Sequence, residues 1–401
     1  MKICYITAQT PWGKGESFIL EELLEAKNQG FNFLIIPRNP PKEIFHEKAK
    51  ELLGKTIWLP LINFRMTAKF FLALFTKPTL WKTLTKIVRH SHNLIILIKN
   101  LAVFPKGLLI SQIVRKENIN HIHAHWGATT ATMAYLVSQF TNIPWSFTLH
   151  RWDIKENNML EEKVKSARFV RCISEHGKKE LFKIVDKKYQ EKIKVIHMGV
   201  KTLLGIKNFS KNKKTFIMVT PANLLEVKGH KYLIEACANL LKQEIKNFQC
   251  IFFGEGILKN ELENLIKEKG GTTYVKIAGA IPHEKLMEMY QNKKIDLVIL
   301  PSITTNKDEH EGIPVSLMEA MAYGIPVIST DTGGIPELLS GRAGIMVEEK
   351  SPEKLSQAII RIMKDEDFAK ELSQKASQKI QEKFNIEKTT KSLIELIQQS
   401  L

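Results

Sequence analysis

The chain has 401 residues and a formal net charge of +17, with 44% hydrophobic and 25% charged residues. This length exceeds one ordinary hydrophobic core and the composition is that of a globular protein, so we expect two folded domains. The four cysteines show no disulfide or metal-ligand spacing, and no apolar run approaches the roughly 20 residues of a membrane span, which favours a protein of the reducing cytosol.

Strand and helix patterns alternate along the first half of the chain. The N-terminal apolar run is too short for a signal peptide and predicts a first strand instead. Strands are predicted at residues 2–7, 31–37, 120–124, 145–149, 169–173 and 194–197. Helices are predicted at 17–29, at 129–139 and from 175. This alternation predicts a doubly wound α/β sheet in a first domain over residues 1–200.

A basic segment, residues 52–116, interrupts this alternation. It contains no Asp or Glu, and its apolar and aromatic residues recur at helical spacing with breaks at Pro78 and Pro105. Such a composition is typical of a helix lying on an anionic membrane surface. A core face with a solvated rim of lysines, Lys106 among them, is the alternative. Nucleic acid is a third possibility, but no recognition motif accompanies the charge, so no nucleic acid is expected as a partner.

The second half begins with a polar, lysine-rich stretch at residues 201–214, which predicts an interdomain linker. A second alternating set follows, with helices in the gaps between strands at 216–220, 249–253, 274–278, 296–300, 326–330 and 344–347. This set predicts a second Rossmann-like domain over residues 215–384. The remaining residues, 385–401, predict a helix that returns to the first domain.

Two carboxylates, Glu311 and Glu319, flank the start of a predicted helix. Pro314 fits the first turn, where a missing N–H is harmless, and Gly324 ends the helix. Glu319 lies in an otherwise apolar helix and needs hydrogen-bond donors, which sugar hydroxyls supply. The free N–H groups at the helix start suit a diphosphate. The pattern therefore predicts a sugar-nucleotide site formed by Glu311, Gly312, Ile313, Pro314, Val315, Ser316 and Glu319.

With this E-x7-E spacing, and with Gly-Ile-Pro-Val at both 312–315 and 324–327, the chain resembles the retaining glycosyltransferases of the GT-B fold, in particular the large family 4. The resemblance implies an α/β protein with two Rossmann-like domains facing a central cleft. It also implies that Glu311 is catalytic and contacts the donor sugar, and that Glu319 binds the ribose. It does not extend to residues 52–116. Two surface glutamates on a solvated helix are the alternative.

The segment after the first strand of the second domain carries Asn223 and Lys228. A lysine at a helix start adds a mobile charge to backbone donors, which suits a leaving diphosphate, although a plain surface lysine is the alternative. In the family pattern Lys228 matches, whereas an arginine is expected where Asn223 stands. The resemblance implies that both bind the donor and that Lys228 is catalytic. It implies further donor contacts at Gly254, Gly256 and Ile281.

Two glycines, Gly13 and Gly15, join the first strand to the first helix. They would let the backbone approach the donor diphosphate or the acceptor closely, or they form a plain tight turn. His150 ends the strand at 145–149, where the resemblance implies a catalytic histidine that hydrogen-bonds the transferred sugar. Asp153 follows it, and we expect that residue on the acceptor side.

Three alternating histidines, His121, His123 and His125, share one face of a predicted strand. This alternation invites a metal site, but no carboxylate or cysteine lies within the motif and the family needs no metal. We therefore expect no metal and an acceptor-lining role for His125.

The resemblance implies a retaining glycosyltransferase that moves a sugar from a UDP- or GDP-linked donor to a glycan or lipid-linked acceptor, in bacterial surface polysaccharide biosynthesis. We expect no cofactor, and a cytoplasmic location at the inner face of the membrane. A nucleotide-sugar 2-epimerase of the same fold is one alternative. A non-catalytic sugar-nucleotide-binding subunit is another, with Asn223 as its only support in the sequence.

Overall fold

The computed structural model describes residues 1–44, 46–76, 78–202 and 215–401. The chain forms two compact units, an N-terminal unit of Met1–Gly199 with Ile386–Leu401 and a C-terminal unit of Val200–Asn385. The predicted linker at 201–214 falls outside the described residues except for its first two.

The N-terminal unit is built on a six-stranded parallel sheet with strand order β2-β1-β3-β4-β5-β6. The strands are β1 Lys2–Thr7, β2 Asn32–Pro37, β3 His121–His125, β4 Trp145–Leu149, β5 Phe169–Cys172 and β6 Ile193–Val195. The helices are α1 Ser17–Asn28, α2 Phe64–Thr76, α3 Pro78–His90, α4 Leu94–Ala102, α5 Phe104–Lys116, α6 Thr129–Thr141, α7 Arg151–Glu156, α8 Leu160–Ser166 and α9 Glu175–Phe182. The order reverses between β1 and β3, and the crevice at such a reversal is where doubly wound sheets bind ligands.

The C-terminal unit contains a second six-stranded parallel sheet with strand order β12-β11-β10-β7-β8-β9. The strands are β7 Phe216–Pro221, β8 Phe248–Phe253, β9 Val275–Gly279, β10 Leu297–Leu300, β11 Val327–Thr330 and β12 Ile345–Val347. The helices are α10 His230–Lys242, α11 Lys259–Glu268, α12 His283–Gln291, α13 Val315–Ala322, α14 Ile335–Leu339, α15 Pro352–Lys364 and α16 Glu366–Lys383. This is the Rossmann strand order, and its reversal lies between β7 and β10.

The last helix, α17 Ile386–Gln399, belongs to the N-terminal unit. Its apolar face, which includes the fully buried Leu393, Ile394 and Ile397, joins the core formed by β1, α1 and β2. A helix distant in sequence therefore completes the first sheet's core.

The basic segment forms four helices, α2 to α5, rather than a helix with two breaks. Pro78 begins α3 and Pro105 lies in the first turn of α5, both positions that tolerate a missing N–H. The third break, which sequence reasoning missed, is the start of α4, where the side chain of Asn93 accepts a hydrogen bond from the Ile96 N–H at 2.8 Å. Asn at an N-cap satisfies an orphan backbone donor.

Lys106 lies in the interior, so its assignment to a solvated lysine rim is wrong. Its Nζ donates to the carbonyl oxygens of Pro37 at 2.6 Å, Arg38 at 2.9 Å and Leu59 at 2.7 Å. Burial, with a smaller contribution from Arg38, lowers the pKa of Lys106 to about 7. The three carbonyls match the three donors of an ammonium group and tie α5 to the end of β2.

The expectation that no helix is long and apolar enough to span a membrane is wrong for one stretch of the described chain, Leu94–Lys116. About half of its most apolar part is buried inside the protein. The buried part is α5, whose Phe104, Ile110 and Val114 are fully enclosed. This is the pattern of a core helix, and α4 is the part that faces outward.

Candidate active site

Lys228 and Glu311 meet at the strand-order reversal of the C-terminal sheet. Lys228 ends a short 3-10 turn, Glu226–Lys228, that follows β7, and Glu311 lies in the loop that follows β10. The Lys228 ammonium donates to Glu311 Oε2, and Ser302 Oγ donates to the same oxygen at 3.4 Å. Both charged side chains are about one-fifth exposed, so a ligand can still reach them. Two residues predicted separately thus form one ion pair.

The turn that carries Lys228 is fixed by a close backbone approach. Gly229 has φ +67°, and a Cβ there would lie 1.8 Å from the Pro301 carbonyl oxygen. The Ile303 N–H donates to the Val227 carbonyl at 2.9 Å. Only glycine fits both the left-handed backbone and the contact. The structure therefore explains the Lys-Gly pair as an anchor of the lysine against the β10 loop.

The Glu311 loop is held by residues that sequence reasoning missed. Thr304 donates to Glu349 through its N–H at 2.6 Å and through Oγ1 at 2.8 Å. Gly333 has φ +55°, a Cβ there would lie 1.8 Å from the Glu311 carbonyl oxygen, and the Gly334 N–H donates to that oxygen at 3.2 Å. The Gly-Gly pair after a strand was the signal that could have pointed to this contact.

Glu319 lies on α13 with its carboxylate about one-sixth exposed. His283 Nε2, at the start of α12, lies 2.7 Å from Glu319 Oε1. The sequence predicted that this carboxylate would need donors, and the structure shows that the protein supplies one of them. Pro314 is the N-cap of α13, and Ile313 and Pro314 are buried while Val315 and Ser316 are half-buried. The N–H groups of Val315 and Ser316, the first two of the helix, have no intrahelical acceptors, so they can bind an anion.

The two glycines of the turn after β8 allow another segment of backbone to approach closely. A Cβ at Gly254 would lie 1.9 Å from the Ala222 carbonyl oxygen, and one at Gly256 would lie 2.3 Å from that of Leu224. The Leu224 N–H donates to the Glu255 carbonyl at 2.9 Å. The turn after β7 and the turn after β8 therefore pack main chain against main chain.

Three further predicted donor residues differ in accessibility. Asn223, in the turn after β7, is exposed, and Ile281, between β9 and α12, is half-buried. Gly312 has open space where a Cβ would stand, with nothing within 4 Å. All three are open to a ligand, and their contacts with a donor remain predictions.

His150 caps α7 in the N-terminal unit and is 7% exposed. Its ring packs against Trp126 with centroids 4.3 Å apart and against Phe18 with centroids 5.2 Å apart. Burial, and then the neighbouring His125 and Arg171, hold the pKa of His150 well below its usual range, so the imidazole is neutral near pH 7. Its Nε2 has no hydrogen-bond partner among the described residues. A buried neutral nitrogen without a partner is suited to a hydroxyl of a bound ligand.

Asp153 holds the backbone around His150. Its Oδ2 accepts from the His150 N–H at 2.9 Å, and its Oδ1 accepts from the Ala128 N–H at 3.2 Å. Burial raises the pKa of Asp153 to about 6. Because both oxygens are used within the protein, the geometry gives Asp153 a positioning role. The acceptor contact expected for it stays a prediction.

Lys163, which sequence reasoning did not single out, is fully buried beneath this loop. Its Nζ donates to the carbonyls of Gly127 at 2.8 Å and Ala128 at 2.9 Å and to Asn158 Oδ1 at 3.2 Å. Burial lowers the pKa of Lys163 to about 7. The three acceptors match the three donors of the ammonium form, so this contact favours the protonated side chain.

His125 is fully enclosed, so the acceptor-lining role predicted for it is wrong in this structure. Its Nε2 lies 3.1 Å from Glu22 Oε1, and the other oxygen of Glu22 accepts from Arg171 at 2.7 Å. Burial alone would raise the pKa of Glu22, but Arg171 and His125 hold it below its usual range. Alternation along β3 gave the correct face but could not show that the face is interior.

The two preceding histidines of β3 are also core residues. His121 Nε2 and His123 Nδ1 both lie 2.7 Å from Ser146 Oγ, and His123 Nε2 lies 2.9 Å from Thr148 Oγ1. Burial holds the pKa of His123 well below its usual range. These histidines therefore form hydrogen bonds between neighbouring strands.

The loop between β1 and α1 is organised by Glu16, another residue that the sequence did not indicate. Its carboxylate accepts from the backbone N–H groups of Gln9 at 2.7 Å and Thr10 at 2.6 Å and from the Trp126 indole. A Cβ at Gly13 would lie 2.5 Å from that of Gln9, whereas Gly15 has nothing within 4 Å. Gly13 thus serves the tight turn, and Gly15 is the glycine that leaves room for a ligand.

Known proteins that are similar in sequence to this chain are described as glycosyltransferases. Residues 205–379 match the family model described as glycosyl transferases group 1. The putative colanic acid biosynthesis glycosyltransferase WcaL of Salmonella typhimurium is 34% identical over 211 residues, which are 52% of this chain and 51% of that protein. The amylovoran biosynthesis glycosyltransferase AmsK of Erwinia amylovora is 31% identical over 210 residues, with coverage of 52% and 51%. The chain spans about half the length of the curated relatives it matches.

Solved structures match in fold over the whole chain. A glycosyltransferase from Rickettsia africae ESF-5 gives a TM-score of 0.70 at 20% identity, covering 100% of this chain and 98% of that one. Anabaena Alr3699/HepE in complex with UDP-glucose gives 0.72 at 16% identity, with full coverage of both chains. The predicted pair of Rossmann-like domains is confirmed, and the fold is GT-B.

Proposed function

We propose that this protein transfers a sugar from a nucleotide-sugar donor to a glycan or lipid-linked acceptor during synthesis of a surface polysaccharide. The observation that carries the proposal is the Lys228–Glu311 pair at the strand-order reversal of the C-terminal sheet. The relatives named for colanic acid and amylovoran biosynthesis support the pathway class. The HepE structures with UDP and UDP-glucose support a UDP-linked donor, and a GDP-linked donor is the second candidate.

Lys228 and α13 would together hold the diphosphate. An ammonium group has three donors, and one of them meets Glu311, so two remain for phosphate oxygens. The first N–H groups of α13 add backbone donors and the positive end of the helix dipole. Because negative charge grows on the diphosphate as the glycosidic bond breaks, these groups stabilise the transition state more than the bound donor. They supply the charge that a metal ion would otherwise bring, so we propose metal-independent transfer.

Glu311 and Glu319 would hold the two sugars of the donor. Glu311 would contact the transferred sugar, with Lys228 and Ser302 fixing its carboxylate. Glu319 would accept hydrogen bonds from the ribose, with His283 fixing it from the side. Carboxylates paired in this way are held in place before the ligand arrives, which reduces the ordering needed on binding.

His150 would act as a hydrogen-bonding group toward the transferred sugar in a retaining mechanism. Its pKa is held well below the usual range by burial, so it is neutral and stays so near pH 7. The unpartnered Nε2 then accepts from, or donates to, a sugar hydroxyl according to its tautomer. This role needs orientation rather than proton uptake.

We propose a cytoplasmic location at the inner face of the membrane. All four cysteines are free and buried, which suits a reducing compartment. The acid-free segment 52–116 supports attraction to anionic lipids, where a lipid-linked acceptor would be found.

A panel of UDP-, GDP- and ADP-sugars tests the proposal by thermal stabilisation, because a ligand that binds the folded state raises the melting temperature. The stabilising donor is then incubated with lipid-linked acceptors, with and without EDTA, and the product anomer is determined. Retained configuration and unchanged rates in EDTA are expected. Conversion of the donor alone into an epimer would favour a 2-epimerase, and binding without turnover on any acceptor would favour a non-catalytic subunit.

A further inference from the structure

Helix α2 exposes a continuous apolar face. Phe64, Phe71, Leu72 and Phe75 recur at the spacing of one helix face, and the two outer phenylalanines are 87% and 89% exposed. The opposite face is apolar as well, because Phe70, Ala73 and Leu74 pack into the core around Phe104 and Leu108. A helix with apolar residues on two opposite faces normally buries both of them, in a protein core or in a membrane. Only one side of α2 is buried in this protein.

Helix α4 repeats the pattern. Its exposed apolar residues are Leu94, Ile95, Ile98 and Leu101, the first of them 70% exposed, whereas Ile96 and Asn100 face inward. On α3, Trp81 and Val88 are also more than half exposed. Soluble monomers rarely expose this many large apolar side chains in one segment unless the segment binds a protein or a membrane. We call the outward side chains of α2 and α4 the apolar face.

The charges around the apolar face select a bilayer as its occupant. The segment contains no carboxylate, and Lys82 and Arg89 are exposed on α3. If a second copy of the chain bound the same face, its cations would lie opposite these cations, and the segment has no carboxylate to pair with them. Anionic lipid headgroups are complementary to both the cations and the apolar side chains.

Charge alone cannot be the main source of attachment. Lys106 is buried, Lys86 pairs with Glu162 at 2.8 Å, and Lys99 pairs with Glu156 at 2.9 Å. Fewer cations are therefore available to bind lipid headgroups than the sequence suggests. The exposed apolar surface is larger than that of an amphipathic helix whose apolar face is buried.

We propose that the apolar face of α2 and α4 inserts into the headgroup–acyl boundary of a lipid bilayer, with Lys82 and Arg89 directing it toward anionic lipid. This goes beyond attraction of a basic surface, because insertion does not depend on salt. Attachment therefore persists in part at high salt and on neutral vesicles, where a purely electrostatic contact would be lost. The proposal is independent of the transfer reaction.

Co-sedimentation of the full chain with neutral phosphatidylcholine vesicles and with vesicles containing phosphatidylglycerol, at low and high salt, tests the proposal. The variant Phe64→Ser/Phe75→Ser removes two nearly fully exposed side chains, so it should fold normally. Its partition onto both vesicle types should fall about tenfold or more. The matched control is Ile257→Ser, because Ile257 is 88% exposed in the C-terminal unit, and its partition should not change.

The variant Lys82→Gln/Arg89→Gln should lose binding only on anionic vesicles at low salt. Melting-temperature shifts with the stabilising nucleotide should be equal in all variants, which separates failure of this proposal from failure of the proposed function. The proposal would be overturned if wild-type protein sedimented with neither vesicle type, or if Phe64→Ser/Phe75→Ser sedimented with vesicles as wild type does. So would light scattering that shows a dimer of the wild type and a monomer of Phe64→Ser/Phe75→Ser, since the face would then bind a second copy.

Discussion

Replacing the buried Lys163 by methionine should change how the stability of the N-terminal unit depends on pH. The pKa of Lys163 in the folded chain is about 7, below its ordinary value of 10.5, because burial penalises the charge. Between about pH 7 and pH 10.5, the side chain of Lys163 is therefore more fully protonated in the unfolded chain than in the folded one. The contribution of Lys163 to the unfolding free energy is complete above about pH 10.5 and is lost as the pH falls toward 7. Methionine has a similar length and does not titrate.

The size of the effect follows from the two pKa values. Linkage gives a rise of about 3–4 kcal/mol in wild-type unfolding free energy between pH 7 and pH 10 from this one side chain. Lys106 also titrates in this range, but it does so in both proteins, so its contribution cancels in the comparison. From pH 7 to pH 10 the unfolding free energy of wild type should therefore rise by about 3–4 kcal/mol relative to that of Lys163→Met.

Urea unfolding followed by tryptophan fluorescence measures this difference. All six tryptophans lie in the N-terminal unit, so the signal reports that unit even if the two units unfold separately. The matched control is Lys165→Met on the same helix, because Lys165 is exposed and its replacement should leave the pH dependence as in wild type. If the difference in unfolding free energy between wild type and Lys163→Met stays constant from pH 7 to pH 10, the pKa of Lys163 is not strongly lowered and the reasoning is refuted.

Four further substitutions test the proposed site. Glu319→Ala should weaken nucleotide binding by about 1.5–3 kcal/mol, roughly tenfold to a hundredfold in Kd by calorimetry, and unchanged affinity would make Glu319 purely structural. Lys228→Ala should lower turnover far more than donor affinity, and near-normal turnover would remove it from the transition state. His150→Ala should also lower turnover. The pH–rate profiles of wild type and variant should have the same shape near pH 6.5, because the imidazole of His150 is already neutral there. Gly333→Ala should lower the melting temperature and donor affinity together, since its Cβ would collide with the Glu311 carbonyl; a variant with native affinity would show that the loop can shift.

The fold was predictable because its signals are local. Buried parallel strands are short apolar runs, so most predicted strand bounds lie within a residue or two of the observed ones. Pro314 and Gly324 marked the ends of α13 through backbone chemistry that needs no tertiary contact. Lys228 and Glu311 could each be placed at a strand's carboxyl end, and parallel strands bring those ends to one edge of a sheet.

The errors come from contacts between residues distant in sequence. Lys106 looked like a surface lysine because nothing nearby reveals the carbonyls of Pro37 and Leu59 that surround it. His125 lies on the predicted face of β3, but whether that face meets solvent or Glu22 depends on α1. Thr304 and Glu349 are 45 residues apart and show no motif. Periodicity gives a side chain's direction, and only packing decides what it meets.

The apolar face and the loop of His150 are joined by buried hydrogen bonds within the N-terminal unit. On the inner side of α4, Asn100 donates to Asn158 Oδ1 at 3.0 Å. Asn158 accepts from Lys163, and Lys163 in turn holds the Gly127–Ala128 backbone that Asp153 ties to His150. These buried hydrogen bonds make a rigid connection, because breaking any one of them leaves a further unsatisfied group in the interior. Helix α4 is therefore part of the same framework as the candidate sugar-binding histidine, and a bilayer that held α4 would also fix the orientation of that loop.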